Sequence, residues 1–381
     1  MADIVNVFAG IPAINRTLFH RIRFSVGDPI GLIEVNGERT LILRDIEMER
    51  AKSKARVQQV HCPADFTPSA GLSGDRETAT AQSLAECLVH KGIRVVNVDR
   101  SLPCSFLHEL QQRDIEFHYD PDLGVTERRA KDDQEIEWLA RAQSVTAATM
   151  TRACQLVARA EVSGDGTLVH DGAPLTSERL QTLISVWLLE SNYSNPGSIV
   201  AGGSEGADCH NHGSGPLSTS QPVIIDIFPC DNATFYNGDC TRTVVNGAIP
   251  DEVARMHAAV FAAKAAGIKA TRPGVTGESV HRTTIETIEK HGFLTDRPSG
   301  PITNKMPSMT HGTGHGIGLD VHEPPLLDFK GPALVIGDAL TIEPGLYSPN
   351  IGGVRLEDLV IVTADGCESL NADLPEGLDW K

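Results

Sequence analysis

Apolar residues fall at helical spacing after residue 134, where Ile136, Leu139, Ala140, Ala147 and Met150 predict one helix. In "TSERLQTLISVWLLES" Leu180, Leu183, Ile184, Trp187 and Leu188 share a face, with Thr176 or Ser177 as its cap. "DEVARMHAAVFAAKAAG" and "ESVHRTTIETIEKHG" predict two more amphipathic helices, each ending at its glycine. The pattern differs earlier in the chain. "IGLIEVNGERTLILR" places apolar runs on either side of Asn36-Gly37, a hairpin signal, and "ATAQSLAECLVHKGI" followed by "RVVNVDR" reads as a helix, a stop at Gly92 and a strand. The polar, turn-rich "YDPDLGVTERRAKDDQ" between these regions predicts a domain boundary, giving domains 1–125 and 126–381.

Four strand-like runs in the second domain carry carboxylates: Asp226 in "VIIDIF", Asp239 in "YNGDCTRT", Glu343 in "LTIEPG" and Glu357 in "GVRLEDL". A charged side chain inside a buried strand is costly unless it is paired, hydrogen-bonded or bound to a cation. One such residue is commonly an edge residue or an arginine partner; four of them call for a shared explanation. Between the pairs lies "HGTGHGIGLDVHEPP", with His311, His315 and His322. Its glycine density opposes a helix. In an extended chain His311 and His315 share a face, and His322 points the other way unless a bulge re-aims it. One imidazole with four carboxylates is a hard, oxygen-rich donor set that suits Mn²⁺, Co²⁺ or Zn²⁺, with two cations balancing four negative charges. Such a pair can activate water and polarise a carbonyl, while uncoordinated histidines move protons.

Composition narrows the field further. The chain has 381 residues, 33 basic and 50 acidic, for a net charge of −17. That surface repels phosphate backbones and anionic lipid, so no nucleic-acid or membrane partner is expected. No apolar run is long enough to span a membrane. The N-terminus does not read as a signal peptide, and eight cysteines lack a CxxC pair, so reduced thiols and a cytoplasmic location are expected. Cys209, His210, His212, Cys230 and Cys240 match no standard structural zinc spacing. His257 and His291 lie on amphipathic helices away from the carboxylates and read as surface or packing residues.

The order Asp226, Asp239, His315, Glu343, Glu357 resembles the metallopeptidases of the pita-bread fold, family M24. That family includes methionyl aminopeptidase, aminopeptidase P, prolidase and the metal-free creatinase. "IDIF…YNGDCTRT", "HGTGHGIGLDVHE", "TIEPGLY" and "GGVRLEDLVIVTADG" carry the resemblance. It implies an α+β fold, with a creatinase-like α/β N-terminal domain before a pita-bread catalytic domain. By resemblance Asp239 and Glu357 bridge two metals, Asp226 completes one site, and His315 and Glu343 complete the other. Glu343 is also the general base for a metal-bridging water. His322 and His311 flank the scissile carbonyl, and His210 or its neighbour His212 is the upstream substrate-side histidine. Arg355 binds a ligand carboxylate or orients substrate, while Tyr236 and Thr241 support Asp239.

Three departures from the family pattern stand out. Asp226 and Asp239 are 13 positions apart, longer than usual, which predicts an extended hairpin; Phe228 replaces a common glycine. Leu326 stands where many dipeptide-specific members have an arginine. All five ligand types being present disfavours creatinase, and the extra N-terminal domain disfavours methionyl aminopeptidase. The expectation is a cytoplasmic, homodimeric Xaa-Pro dipeptidase or aminopeptidase acting on proline-containing di- or oligopeptides. It would use two divalent ions, manganese first, with cobalt, zinc or iron as alternatives. Two other readings are a hydrolase or lyase of a non-peptide amide, and a non-catalytic binding protein that kept the fold.

Overall fold

The computed structural model describes residues 4–295 and 306–381, so the first three residues of the N-terminus lie outside the described residues. The chain separates into two compact units, Met1–Arg128 and Arg129–Lys381.

The first unit is built on a six-stranded sheet, in the order Gln59–His61, Glu38–Ile42, Ile30–Val35, Val5–Gly10, Val95–Val98, Glu116–Tyr119. Val5–Gly10 runs antiparallel to Ile30–Val35 and parallel to Val95–Val98. The Asn36-Gly37 hairpin closes as its sequence requires, with φ of 50° and 88° at the two turn residues. Helix Arg76–His90 is capped by the Asp75 side chain and is followed by Gly92 at φ 70°. It buries Ala81, Leu84, Ala85 and Leu88 against Val7, Ile33 and Val96.

In the second unit two helix pairs back two groups of strands. Asp133–Arg159 begins at a capping box made by Asp132 and Glu135, and Ser177–Glu190 at a Thr176 cap. Met150, Val157, Leu180, Ile184 and Leu188 from this pair share one core with Val200, Ile225 and Val244. Those strands form an antiparallel sheet, Ser198–Gly202, Pro222–Ile227 and Cys240–Val245, in which Asp226 lies opposite Thr241. The other pair, Asp251–Ala270 and Gly277–Lys290, packs near a five-stranded sheet with order Glu323–Leu327, Gly314–Gly316, Ala339–Ile342, Asp358–Val362, Cys367–Ser369. A two-stranded ribbon, Gly345–Ser348 with Gly352–Arg355, completes the strands that concern the site.

Two expectations need correction. The first predicted amphipathic helix of the second pair does not stop at Gly267 but continues to Ala270. Gly267 serves packing: a Cβ there would meet Ile342 and Thr284 side chains at 3.0 Å, so the missing side chain lets helix and sheet approach. Secondly, of the four strand carboxylates only Asp226 lies inside a strand. Asp239 immediately precedes Cys240–Val245, Glu343 immediately follows Ala339–Ile342, and Glu357 sits in the break between Gly352–Arg355 and Asp358–Val362. At strand ends a side chain can turn toward a neighbouring element without disrupting the ladder.

Candidate metal centre

The strand ends converge on a cavity of about 520 Å³ lined by Asp226, Asp239, His315, Glu343 and Glu357, with His210, His212, His311, His322 and Arg355 also on its wall. One ligand atom each from Asp239, His315 and Glu357 lies within 4.8 Å of the others. His315 Nε2 stands 3.7 Å from Asp239 Oδ2 and 3.6 Å from Glu343 Oε1.

Each ligand candidate is held by groups distant in sequence. His315 Nδ1 lies 3.1 Å from the Gly316 carbonyl, so Nδ1 carries the hydrogen and Nε2 turns its lone pair toward the carboxylates. The His315 amide donates to Thr341 Oγ1 at 3.1 Å. Asp239 is clasped through its backbone by Gln143, which donates to the Asp239 carbonyl at 2.7 Å and accepts its amide at 2.9 Å. Glu357 Oε2 accepts from Thr241 Oγ1 at 2.8 Å, and its carbonyl accepts from the fully buried Arg242 at 2.6 Å. Arg242 continues to Asp358 at 2.8 Å, a carboxylate also paired with buried Lys264. The Glu343 amide donates to the Thr313 carbonyl at 2.7 Å.

The glycine-rich segment is strand only at Gly314–Gly316; residues 317–322 bend back toward Glu323–Leu327. Between His315 and Gly316 the register against Glu323–Leu327 shifts, and His322 comes round to the same site, its ring 4.3 Å from that of His315 and nearly perpendicular to it. His311 is held differently. Its Nδ1 lies 2.8 Å from the Gly312 carbonyl and its Nε2 is 2.7 Å from the Tyr347 hydroxyl, which in turn accepts from Arg355 Nη1 at 3.1 Å.

Sequence reasoning placed the ligand candidates and neighbouring histidines around one cavity but assigned some supports to the wrong neighbour. Thr241 supports Glu357 through its side chain, whereas the Tyr236 hydroxyl donates to Glu135. Arg355 is buried and donates to Asp226 Oδ2 at 2.6 Å, Thr241 Oγ1 at 3.2 Å and the Cys209 carbonyl at 3.3 Å, besides Tyr347. Gln143, Tyr347 and Arg242 were missed. His210 and His212 both reach the cavity wall, His212 with Nδ1 3.1 Å from the Ser198 carbonyl. The long spacing between Asp226 and Asp239 forms a turned excursion closed by a Cys230–Asn237 bridge, with Phe235 at φ 63°.

The electrostatics follow from crowding. Burial, then Glu357, Asp226 and Glu343, hold the Asp239 carboxyl well above the usual carboxylate range. Burial, then Glu343 and Asp226, do the same to Glu357. Glu343 is pushed up to about 8, mainly by burial. Burial and then His322 lower His315 to about 4, keeping it neutral at pH 7. Asp226 Oδ1 is buried with no hydrogen-bond partner. Several buried carboxylates, a neutral imidazole and an unsatisfied oxygen fit a hard divalent cation, which would remove the repulsion and satisfy that oxygen.

A family model described as "Metallopeptidase family M24" matches residues 137–364, more than half of the chain. The chain is an M24 metallopeptidase. Its likeness to the Xaa-Pro dipeptidase of Pyrococcus horikoshii is 27% identity over 289 residues, 74% of each protein. The probable dipeptidase PepE of Mycobacterium tuberculosis is 36% identical over 178 residues, 45% of this chain and 43% of that one. Among solved structures, the X-Pro aminopeptidase from Thermotoga maritima superposes with a TM-score of 0.78 at 22% identity, covering 98% of this chain and 97% of that one. The Xaa-Pro dipeptidase from Bacillus anthracis gives 0.78 at 22%, covering 99% and 94%. These likenesses establish the fold of the M24 metallopeptidase as an N-terminal domain followed by a pita-bread domain.

Proposed function

We propose that this M24 metallopeptidase hydrolyses the bond between an N-terminal residue and proline in proline-containing peptides. Residues 126–381 act as catalytic domain and 1–125 as the creatinase-like N-terminal domain. The observation that carries the reading is the convergence of Asp226, Asp239, His315, Glu343 and Glu357 on one cavity, a complete ligand set in a chain of this family. Asp239 and Glu357 would hold two divalent ions jointly, Asp226 one of them, and His315 and Glu343 the other. Manganese is the first candidate and cobalt, zinc and iron are alternatives. When bound, the ions supply Lewis acidity for a carbonyl and for water.

The chain's own groups do the rest. Glu343, with a carboxyl that burial inclines to take a proton, accepts one at Oε and returns it to the leaving nitrogen. His322, beside His315 and open to the cavity, donates a hydrogen bond to the oxygen that gains charge. His311, fixed by Tyr347 and Gly312, lines the side that receives the proline. His210, or His212 beside it, approaches substrate from the opposite segment. Arg355 orients Asp226 and, through Tyr347, His311.

The lining also bears on peptide length. Arg355 is the one arginine or lysine among the described lining residues, and its donors are engaged. Leu326, 55% exposed, and Phe228 present apolar surface instead. A free carboxylate next to proline has no arginine or lysine waiting for it, which supports peptides extended beyond proline. Eight free thiols support a reducing, cytoplasmic setting, and a homodimer is proposed from the resemblance alone. The test is hydrolysis of an Xaa-Pro dipeptide beside a longer Xaa-Pro-Xaa peptide, using metal-stripped protein with Mn²⁺ restored. Faster cleavage of the longer peptide is expected. Cleavage of the dipeptide alone refutes the length preference, and cleavage of neither refutes the peptidase reading.

A further inference from the structure

Apart from the five-residue cluster, a second group of donor atoms gathers at the edge of the cavity. Ligand atoms of Asp208, Cys209 and His210 all lie within 4.8 Å of one another, although the residues are consecutive and consecutive side chains ordinarily diverge. The backbone explains the convergence. The short 3-10 helix Gly203–Ala207 ends at Asp208, whose Oδ1 accepts the His210 amide at 3.0 Å and whose carbonyl accepts the Asn211 amide at 3.1 Å. Cys209 is tied down from both sides: its carbonyl accepts from Arg355, and its side chain packs on the cluster of Ile199, Ala201, Ile224 and Tyr347. Cys209 and His210 both line the cavity, while Asp208 and His210 are exposed, which places the group at the rim.

We propose that Asp208, Cys209 and His210 form a separate binding site for a soft divalent cation such as Zn²⁺ or Cd²⁺, whose occupancy obstructs the cavity mouth. The two donor sets differ in kind. The inner cluster offers oxygen and a single imidazole and no sulfur, whereas the rim offers sulfur, nitrogen and one carboxylate. Hard Mn²⁺ therefore partitions inward, and a thiophilic ion is drawn to the rim. Burial raises the Cys209 thiol above its ordinary value, so it is protonated at neutral pH until an ion arrives. On binding, the Cys209 S–H bond breaks, the proton leaves to solvent, and the sulfur pair is shared with the cation; nothing is oxidised or reduced. The inhibitory consequence rests on the peptidase reading; the site itself does not.

The test is a titration of the Mn²⁺-loaded full-length chain with Cd²⁺, following thiolate-to-cadmium charge-transfer absorbance in the ultraviolet. One equivalent per chain is expected to develop the band in the native chain and in Cys104→Ser, which removes an exposed thiol elsewhere. Cys209→Ser is expected to lose it. No band in the native chain, or an equal band in Cys209→Ser, overturns the site. In parallel, saturating Cd²⁺ should lower peptide hydrolysis at least about tenfold in the native chain and less than about twofold in Cys209→Ser. Equal inhibition of both overturns the rim as the inhibitory location. If the native chain cleaves no Xaa-Pro peptide at all, the absorbance still decides the rim site, so the two readings fail separately.

Discussion

Thr241 and Thr243 lie two positions apart on one strand, both fully buried and both hydrogen-bonded through the hydroxyl, yet only one touches a ligand candidate. Thr241 Oγ1 donates to Glu357 Oε2 at 2.8 Å and accepts from Arg355 Nε at 3.2 Å. Thr243 Oγ1 donates to the Arg355 carbonyl and accepts the Arg355 amide, each at 3.0 Å. Replacing either by valine keeps the shape and removes the hydroxyl, leaving two buried partners unmet at a cost of about 1–3 kcal/mol per group. Both variants should therefore lose about 3 kcal/mol of stability, roughly 6–12 °C in Tm for a unit of this size. Only Thr241→Val frees the Glu357 carboxylate to rotate. Loss of such an orienting bond lowers metal affinity about 10–100-fold, or roughly 1.4–2.8 kcal/mol. Calorimetric titration of metal-stripped protein with Mn²⁺ measures this directly, with Thr243→Val as the matched control. Equal Mn²⁺ affinity in Thr241→Val and the native chain, or an equal drop in both variants, would refute the argument that this hydroxyl sets the carboxylate.

Glu343→Gln removes the proton acceptor while keeping side-chain shape, so kcat on an Xaa-Pro peptide should fall about 10²–10⁴-fold; a fall under about tenfold assigns the proton to another group. His322→Ala should lose most activity, whereas His257→Ala, whose ring bonds the Glu376 carbonyl and stacks near Phe261, should stay within about twofold. Equal effects would sink the assignment of His322. In the first unit, burial pushes the Asp99 carboxyl up to about 6 from 3.8. The folded state then keeps a proton that the unfolded chain has lost, so stability declines from about pH 4 to pH 6. Asp99→Asn should stabilise this unit above pH 6 by at most about 3 kcal/mol, at 1.36 kcal/mol per pK unit, and change nothing below pH 4. Amide exchange of Val5–Gly10 and Val95–Val98 at both pH values checks it; the same gain at both refutes it. Gly267→Ala brings a methyl group to 3.0 Å from Ile342 and Thr284 and should cost about 1–3 kcal/mol, read by chemical denaturation.

Asp226, Asp239, Glu343 and Glu357 were legible because charge in an apolar run violates the ordinary cost of burial, and the glycine-rich histidine segment announced close backbone approach. Their supports were not legible for a reason of distance. Gln143 reaches Asp239 across 96 positions, Tyr347 reaches His311 across 36, and Arg242 reaches the Glu357 carbonyl across 115. No local pattern distinguishes these from any glutamine, tyrosine or arginine. The same holds for Gly267, whose role depends on Ile342 and Thr284 arriving from elsewhere; Arg355 was named from the resemblance, but its bonds to Asp226 and Tyr347, from two other strands, were not. Patterning located the start of Ser177–Glu190 because its Thr176 cap is local, while the Arg76–His90 helix, capped by Asp75, starts three residues before the stretch read as helical, and the end of the Asp251–Ala270 helix was decided by packing.

The short bent connection after Gly316 turns segment length into a functional constraint. Side chains on extended backbone alternate faces, so a one-residue gain or loss reverses the facing of everything beyond it. His315 and His322 meet with rings 4.3 Å apart because residues 317–322 fold back between the antiparallel strands Gly314–Gly316 and Glu323–Leu327, so one residue more or less in that connection would re-aim His322. Chemically neutral insertions or deletions there would therefore be more damaging than most substitutions at Leu319, which does not line the cavity. For this stretch the number of residues constrains the site more tightly than the identity of the residues that do not touch the cavity.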